Sequence, residues 1–110
     1  MPHSDPLFEK ATLAIQDAIP QAEKDPFRPV FHFRPPARWM NDPNGTMFHN
    51  GYYHVFYQLH PFGDTHGPMY WGHTRSKDLA HWEHLPIGLC PSHDRGETDC
   101  YSGCAWKTED

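Results

Sequence analysis

The sequence predicts an all-β fold of antiparallel strands, preceded by a short N-terminal α-helix. Three observations support this prediction. From Gly45 onward, apolar residues alternate with a period of two, as in a strand that has two different faces. Asn50-Gly51 separates two such runs, and this dipeptide favours a tight type I′ hairpin turn. Twelve prolines and eight glycines among 110 residues exclude a helix bundle, because they require many turns.

The N-terminal segment predicts one amphipathic helix over residues 5–19. Asp5 is a candidate N-cap, and Pro6 suits the first helical position. Pro20 is expected to end or kink the helix. We interpret it as a packing helix without chemistry, and we expect residues 1–26 to form this helix and a linker. Its apolar residues recur at helical spacing, namely Leu7, Ala11, Ile15, Ala18 and Ala22.

Five strands are predicted in the rest of the chain. The second carries aromatic residues on both faces, so we expect it to be covered on both sides. Four antiparallel strands, a loop and a new strand suit one blade of a β-propeller plus the start of the next. A small sandwich or barrel is the alternative. The predicted strands are residues 46–49, 52–59, 69–74, 81–85 and 100–106.

Charge and cysteine content indicate the class of protein. A net charge of −5 provides no basic surface for nucleic acid or anionic lipid, so a small neutral ligand or another protein is the expected partner. No stretch approaches the roughly 20 apolar residues of a membrane span. Residues 1–20 lack the features of a secretory signal, and three cysteines do not suit a disulfide framework. We therefore expect a cytoplasmic protein.

Ten histidines and three cysteines raise the question of a metal site. Zinc sites use closely spaced pairs such as Cys-x2-Cys or His-x3-His. His81 and His84 are three residues apart in a predicted strand, and residues at that separation face opposite sides. The sequence therefore predicts no metal site and no cofactor.

The segment best suited to chemistry is Trp39-Met40-Asn41-Asp42-Pro43-Asn44-Gly45. Pro43 holds the backbone of Asp42 extended, and the Asn-Gly pair that follows is a turn signal, so the Asp42 carboxylate is expected to be fixed in place. Asn41 supplies an amide, and Trp39 supplies a flat apolar wall. A carboxylate, an amide and an aromatic ring are what a sugar site needs. The alternative is an Asx turn that only leads into the hairpin.

Three further segments place polar groups beside aromatic ones. Gln58 lies near the end of the second predicted strand, Trp71 lies beside a glycine in the third, and Tyr101-Ser102 opens the fifth. Each segment alone is more typical of a core than of a site. Their significance depends on whether the fold brings them to Asp42.

Taken together, these segments resemble glycoside hydrolase family 32, which includes invertases, sucrose-6-phosphate hydrolases, inulinases and levanases. The resemblance runs from about Phe27 to Ala105. It implies that residues 27–110 form the first blade and the start of the second blade of a five-bladed β-propeller. The remaining blades and a C-terminal β-sandwich would belong to the full-length protein. The motifs, in order, are residues 39–45, Phe56-Tyr57-Gln58, Trp71-Gly72-His73, Asp78-Leu79 with residues 81–86, and Tyr101-Ser102-Gly103.

The resemblance also implies a retaining hydrolase of β-fructofuranosides such as sucrose or sucrose 6-phosphate, with Asp42 as the nucleophile. The family's acid/base Glu and its transition-state-stabilising Asp have no counterpart in these 110 residues. We therefore expect this chain alone to be an inactive fragment of an invertase-like enzyme. The alternative is a non-catalytic sugar-binding fragment. The implied substrate-binding residues are Trp39, Met40, Asn41, Asp42, Gln58, Trp71, Tyr101 and Ser102.

Overall fold

A computed structural model describes residues 6–30 and 32–109, and about half of them belong to one helix and one antiparallel sheet. Each strand pairs with the next, in the sheet order β1-β2-β3-β4, so the predicted four-stranded meander is confirmed. In the described part of the chain, no helix is long and apolar enough to cross a membrane. The elements are α1 (Pro6–Glu23), β1 (Trp39–His49), β2 (Tyr52–His60), β3 (Tyr70–Ser76) and β4 (Glu83–Leu89), followed by a single turn of 3₁₀ helix at His93–Arg95.

The predicted hairpin joins β1 to β2. Asn50 and Gly51 have φ angles of 50° and 81°, so both residues lie in the left-handed region that a type I′ turn requires. The strands that follow β2 begin within two residues of their predicted starts and extend further than predicted.

Helix α1 covers one face of the sheet. Its buried residues Ala11 and Ile15 join a hydrophobic core with side chains of the three strands behind it, and the Thr12 hydroxyl accepts a hydrogen bond from the Ile87 backbone N–H at 3.3 Å. Burying a large apolar side chain in such a core contributes roughly 1.5–3 kcal/mol. The predicted packing role of the helix is therefore confirmed. The sheet residues in this core are Tyr57, Leu59, Tyr70 and Ile87.

The C-terminal end of α1 differs from the prediction, whereas the helix begins at Pro6 as predicted. The helix passes Pro20 and ends at Glu23, so Pro20 does not end it, and the expected kink stays a prediction. Pro20 lies near the last turn, where it removes one backbone donor, and the carbonyl of exposed Gln16 can bind water instead. The predicted N-cap, Asp5, lies outside the described residues.

Strand β1 begins at Trp39, seven residues before its predicted start, because two β-bulges accommodate its turn-forming residues. In the first bulge, two β1 residues oppose one β2 residue between the Met40–Leu59 and Pro43–Tyr57 pairs. The second bulge contains Gly45, whose φ is 53°, so the predicted Asn-Gly turn is part of a strand. Pro43 is tolerated because β1 is an edge strand of this sheet.

Residues 100–106 form no strand, which corrects the prediction of a fifth one. Residues 99–105, called the crossing segment below, lie instead over the sheet face opposite α1. The carbonyls of Cys100 and Tyr101 accept hydrogen bonds from the side chains of Gln58 and Trp71, and these side chains, rather than the backbone of a neighbouring strand, are their partners. The two faces of β2 are thus covered by α1 and by the crossing segment, as predicted.

A pair of histidines lies on the same face as the crossing segment. His54 Nδ1 and His73 Nε2 are 3.0 Å apart, and the His73 ring stacks on Phe56 with 4.1 Å between ring centroids. Burial lowers the pKa of His73 to about 4, and positive charge on His54 and Arg75 opposes its protonation further. Burial also lowers the pKa of His54, with smaller effects from His49 and Arg75.

The stability of the protein is therefore expected to fall on mild acidification. Between the ordinary histidine pKa of 6.5 and the lower folded-state values, the unfolded chain binds more protons than the folded chain. The contribution of the pair is fully present above pH 6.5 and is lost as the pH falls. We expect the urea midpoint to decrease from pH 7 to pH 5, and His73→Gln to flatten this dependence. An unchanged slope in His73→Gln, or an equal flattening in the exposed control His93→Gln, would contradict the prediction.

Candidate active site

The candidate site lies at the first bulge of β1, which places two polar residues on the same side of the strand. In a regular strand, the adjacent residues Asn41 and Asp42 would face opposite sides of the sheet. Here both oppose the single β2 residue Gln58, and all three line one open pocket of about 280 Å³. The bulge therefore brings a carboxylate and two amides together.

The crossing segment forms the other wall of this pocket. Ser102 Oγ donates a hydrogen bond to Asp42 Oδ2 at 2.9 Å. Gln58 Nε2 donates to the Cys100 carbonyl at 2.8 Å and lies 3.4 Å from Ser102 Oγ. Gln58 is only 5% exposed, so its side-chain amide is buried and held by these bonds. Ser102 holds the carboxylate of Asp42 through the hydrogen bond to Oδ2. The arrangement holds Asp42 in one orientation although its side chain is open to solvent.

A second carboxylate, Asp99, also lines the pocket. Its Oδ1 accepts a hydrogen bond from the Met69 backbone N–H, and its Oδ2 accepts one from the Thr98 hydroxyl, each at 2.8 Å. These bonds hold the pKa of Asp99 below its usual value. Asp99 therefore stays ionised at neutral pH and cannot act as a general acid.

The structure gathers five of the eight predicted site residues around the pocket. Trp71 lies beneath the crossing segment, 8% exposed, and its Nε1 donates to the Tyr101 carbonyl at 3.1 Å. Trp39 meets the edge of His66, which lines the pocket, with 5.3 Å between ring centroids. Met40 packs instead against the hydrophobic core on the α1 face, so it is not brought to the pocket. The five are Asn41, Asp42, Gln58, Tyr101 and Ser102.

Three lining residues were not predicted from the sequence, namely His66, Met69 and Asp99. Asp99 precedes the predicted site residue Tyr101 by two positions, and its acidic character was the one signal that could have identified it. His66 and Met69 come from the β2–β3 connection, which carries no motif of its own. Among the described residues, no group of three or more His, Cys, Asp or Glu side chains is arranged to hold a metal ion.

Gln58→Leu is expected to loosen the crossing segment. The substitution leaves the Cys100 carbonyl without its partner, and a buried polar group left unsatisfied costs about 1–3 kcal/mol. Cys100 is half-buried, and burial together with Glu97 and Asp99 raises the pKa of its thiol to about 11. We expect alkylation of Cys100 by iodoacetamide to rise about tenfold relative to exposed Cys104.

Peptide-level mass spectrometry would measure both labelling rates in the same sample. Gln16→Leu, at an exposed position of α1, is the matched control and should leave the ratio of the two rates unchanged. A ratio in Gln58→Leu equal to that of the unsubstituted chain would show that this hydrogen bond does not hold the segment in place.

Most of the chain is similar in sequence to known proteins. The family model described as "Glycosyl hydrolases family 32 N-terminal domain" matches residues 32–110. A sucrose-6-phosphate hydrolase of Zymomonas mobilis subsp. mobilis is 46% identical over 100 residues, which covers 87% of this chain and 20% of that protein. The chain thus spans about a fifth of the length of this relative.

Two solved structures show similar folds. A β-fructofuranosidase of Bombyx mori superposes with a TM-score of 0.84 at 38% identity, over 96% of this chain and 22% of that one. A sucrose-6-phosphate hydrolase from Lactobacillus gasseri superposes with a TM-score of 0.78 at 34% identity, over 93% of this chain and 22% of that one. Matches of this extent include helix α1 as well as the sheet.

Proposed function

Because the chain belongs to glycoside hydrolase family 32, whose N-terminal domain is a β-propeller, we propose that it carries the nucleophile of a retaining β-fructofuranosidase. The observation that supports this proposal most is the joint placement of Asn41, Asp42, Gln58 and Ser102 around one pocket. The substrate would be sucrose or sucrose 6-phosphate, since one similar protein is named sucrose-6-phosphate hydrolase and a mutant of the Bombyx mori enzyme is described in complex with sucrose.

In this proposal, a carboxylate oxygen of Asp42 attacks the anomeric carbon of a fructosyl unit and forms a covalent fructosyl-enzyme, which water then hydrolyses. The hydrogen bond from Ser102 holds Oδ2, so we assign Oδ1 as the attacking oxygen. Asn41, Gln58 and Tyr101 would bind fructosyl hydroxyls. Trp39 would form a wall of the subsite beside His66, and Trp71 would support Tyr101 from beneath the crossing segment. Met40 would act only through its packing behind β1.

A retaining mechanism also requires an acid/base carboxyl group at about 5–5.5 Å from the nucleophile. Asp99 does not qualify, because its hydrogen bonds keep it ionised. We assign the acid/base to a part of the full-length protein beyond these residues, together with the other blades and a β-sandwich. General acid catalysis contributes roughly 10²–10⁴-fold, so we expect the chain alone to be inactive.

A non-catalytic sugar-binding role is the second candidate. It is favoured by a different observation, namely that the described residues of the pocket include no carboxyl group suited to protonate a leaving group. The two candidates differ in what the site does once a complementary acid is supplied. An enzyme would cleave the fructosyl bond, whereas a binding module would only retain the sugar.

A hybrid enzyme tests the proposal. The chain would replace the matched segment of the Zymomonas mobilis sucrose-6-phosphate hydrolase, and release of fructose from sucrose and sucrose 6-phosphate would be measured. We expect hydrolysis by the hybrid and none by the chain alone. A folded hybrid that cleaves neither substrate would contradict the enzymatic proposal and favour the binding role. Hydrolysis by the chain alone would contradict the assignment of the acid to a missing part.

A further inference from the structure

A second cleft, of about 640 Å³, lies between the C-terminal end of α1 and the start of β1 and is called the helix cleft below. Three cationic side chains line it, Lys24, Arg28 and Arg38, against the two carboxylates Asp25 and Asp64. The charge of its lining is therefore positive, although the whole chain carries −5. Its volume is in the range of small-molecule sites.

The helix cleft adjoins the candidate active site. Trp39 lines the cleft, and its ring meets His66, which lines the active-site pocket. Arg38 precedes Asp42 by four residues, so their Cα atoms are at most about 13 Å apart at the rise of an extended strand. The two sites meet at Trp39, past which a substrate held at Asp42 would extend a group to reach Arg38.

Arg38 has a backbone conformation that an L residue adopts only at some cost. Its φ is 72°, in the left-handed region that favours glycine. Its Nη1 donates to Asp64 Oδ1 at 3.1 Å, and the two side chains are 32% and 76% exposed. Exposed ion pairs of this kind contribute little to stability, so the pair does not account for an arginine at a strained position.

Arg28 supports the positive charge of the cleft. Its guanidinium donates hydrogen bonds to the backbone carbonyls of Pro35 and Pro36, two residues that lead into Arg38. These neutral acceptors fix the connector without neutralising the arginine. Glu23 and Asp25 lie close enough to Arg28 to stabilise its charge in part, so the lining keeps one net positive charge. The carboxylate partner of Arg38 is exposed.

We propose that the helix cleft binds a phosphate monoester group of the substrate and that Arg38 is its main binding residue. This inference rests on the proposed function, and it assigns sucrose 6-phosphate, rather than sucrose, as the preferred substrate. A dianionic phosphate replaces the exposed Asp64 carboxylate and accepts two parallel hydrogen bonds from the planar guanidinium. Lys24 and Arg28 add attraction at longer range.

Titration of the full 110-residue chain tests this assignment, with inorganic phosphate, sucrose and sucrose 6-phosphate as probes. We expect both phosphates to shift the nuclear magnetic resonance signals of the Trp39 indole and the Arg38 guanidinium, and sucrose to leave the Arg38 signal unchanged. Sucrose 6-phosphate should bind more tightly than inorganic phosphate, because it occupies both sites. Arg38→Gln should weaken both phosphates about tenfold, the effect of losing a charged hydrogen-bonding partner.

Arg75→Gln is the matched control. Arg75 is also 32% exposed and paired with a carboxylate, that of Glu83, but it does not line the helix cleft. Its substitution should leave phosphate binding unchanged. Phosphate binding that is unaffected by Arg38→Gln, or equally weakened by Arg75→Gln, would overturn the proposal.

Arg38→Gly separates binding from folding. Glycine adopts a φ of 72° without strain, so this variant should unfold at a temperature no lower than the unsubstituted chain while losing phosphate binding. Retained phosphate binding in Arg38→Gly would overturn the proposal.

Inactivity of the hybrid enzyme would contradict the proposed function even where Arg38 binds phosphate. An active hybrid without Arg38-dependent phosphate binding would overturn the present inference alone.

Discussion

Replacing Asp42 by asparagine is expected to lower kcat of the hybrid enzyme by on the order of 10³-fold or more, as the loss of a nucleophile does in other enzymes. An amide cannot form the covalent fructosyl intermediate, but it has the shape of the carboxylate and can still accept the hydrogen bond from Ser102. KM should therefore change much less than kcat. Steady-state kinetics with sucrose and sucrose 6-phosphate would measure both quantities.

Asp94→Asn is the matched control for this experiment. Asp94 is exposed in the 3₁₀ turn and does not line the pocket, so its substitution should leave kcat unchanged. Ser102→Ala should lower kcat less than Asp42→Asn, since it removes only the group that orients the carboxylate. An Asp42→Asn hybrid that keeps more than a tenth of the unsubstituted rate would exclude Asp42 as the nucleophile.

Gly72→Ala is expected to be severely destabilising, lowering the free energy of unfolding by about 2–3 kcal/mol. A Cβ atom at Gly72 would overlap the ring of Tyr57 on the neighbouring strand. That ring cannot simply move away, because it is 2% exposed in the core beneath α1 and packs edge-on against Phe33 at 5.4 Å. Urea denaturation would measure the change.

A double-mutant cycle identifies the cause of this destabilisation. Tyr57→Leu removes the obstructing ring, so Gly72→Ala should cost much less in the Tyr57→Leu background than alone. Gly51→Ala is the control for backbone strain, since its φ is 81° but nothing lies within 4 Å of the added methyl group. It should cost about 1–2 kcal/mol. Additive effects of the Gly72 and Tyr57 substitutions would show that the overlap with the ring is not the cause.

The sequence was sufficient for the features that local chemistry determines. Asn50-Gly51 specifies its turn through two positive φ angles, and the spacing of Ala11 and Ile15 specifies the buried face of α1. The family assignment could also be predicted, because the motifs that carry it are short and ordered along the chain, and the family match confirms it. None of these features depends on the register between distant strands.

The features that could not be predicted depend on such pairing. Asn41 and Asp42 face one pocket while Met40 faces the core, and this follows from their register against β2 rather than from their own identities. The crossing segment alternates like a strand, but two of its carbonyls are bound by the side chains of Gln58 and Trp71 and not by a neighbouring strand. Side chains that satisfy backbone groups across the fold leave no periodic signal in a sequence.

The two bulges of β1 also determine which length changes this segment can accept. Eleven residues of β1 lie beside nine of β2, so the strand carries two residues in excess of its partner. Deleting Asn41 or Asp42 would remove the first bulge and leave Met40 opposite Leu59, still facing the core, but only one residue would then lie opposite Gln58. Deleting one residue from each bulge would leave a regular nine-residue strand that matches β2, without the joint placement of Asn41 and Asp42 at the pocket. Natural variation in chain length should therefore avoid this strand and be confined to the loops.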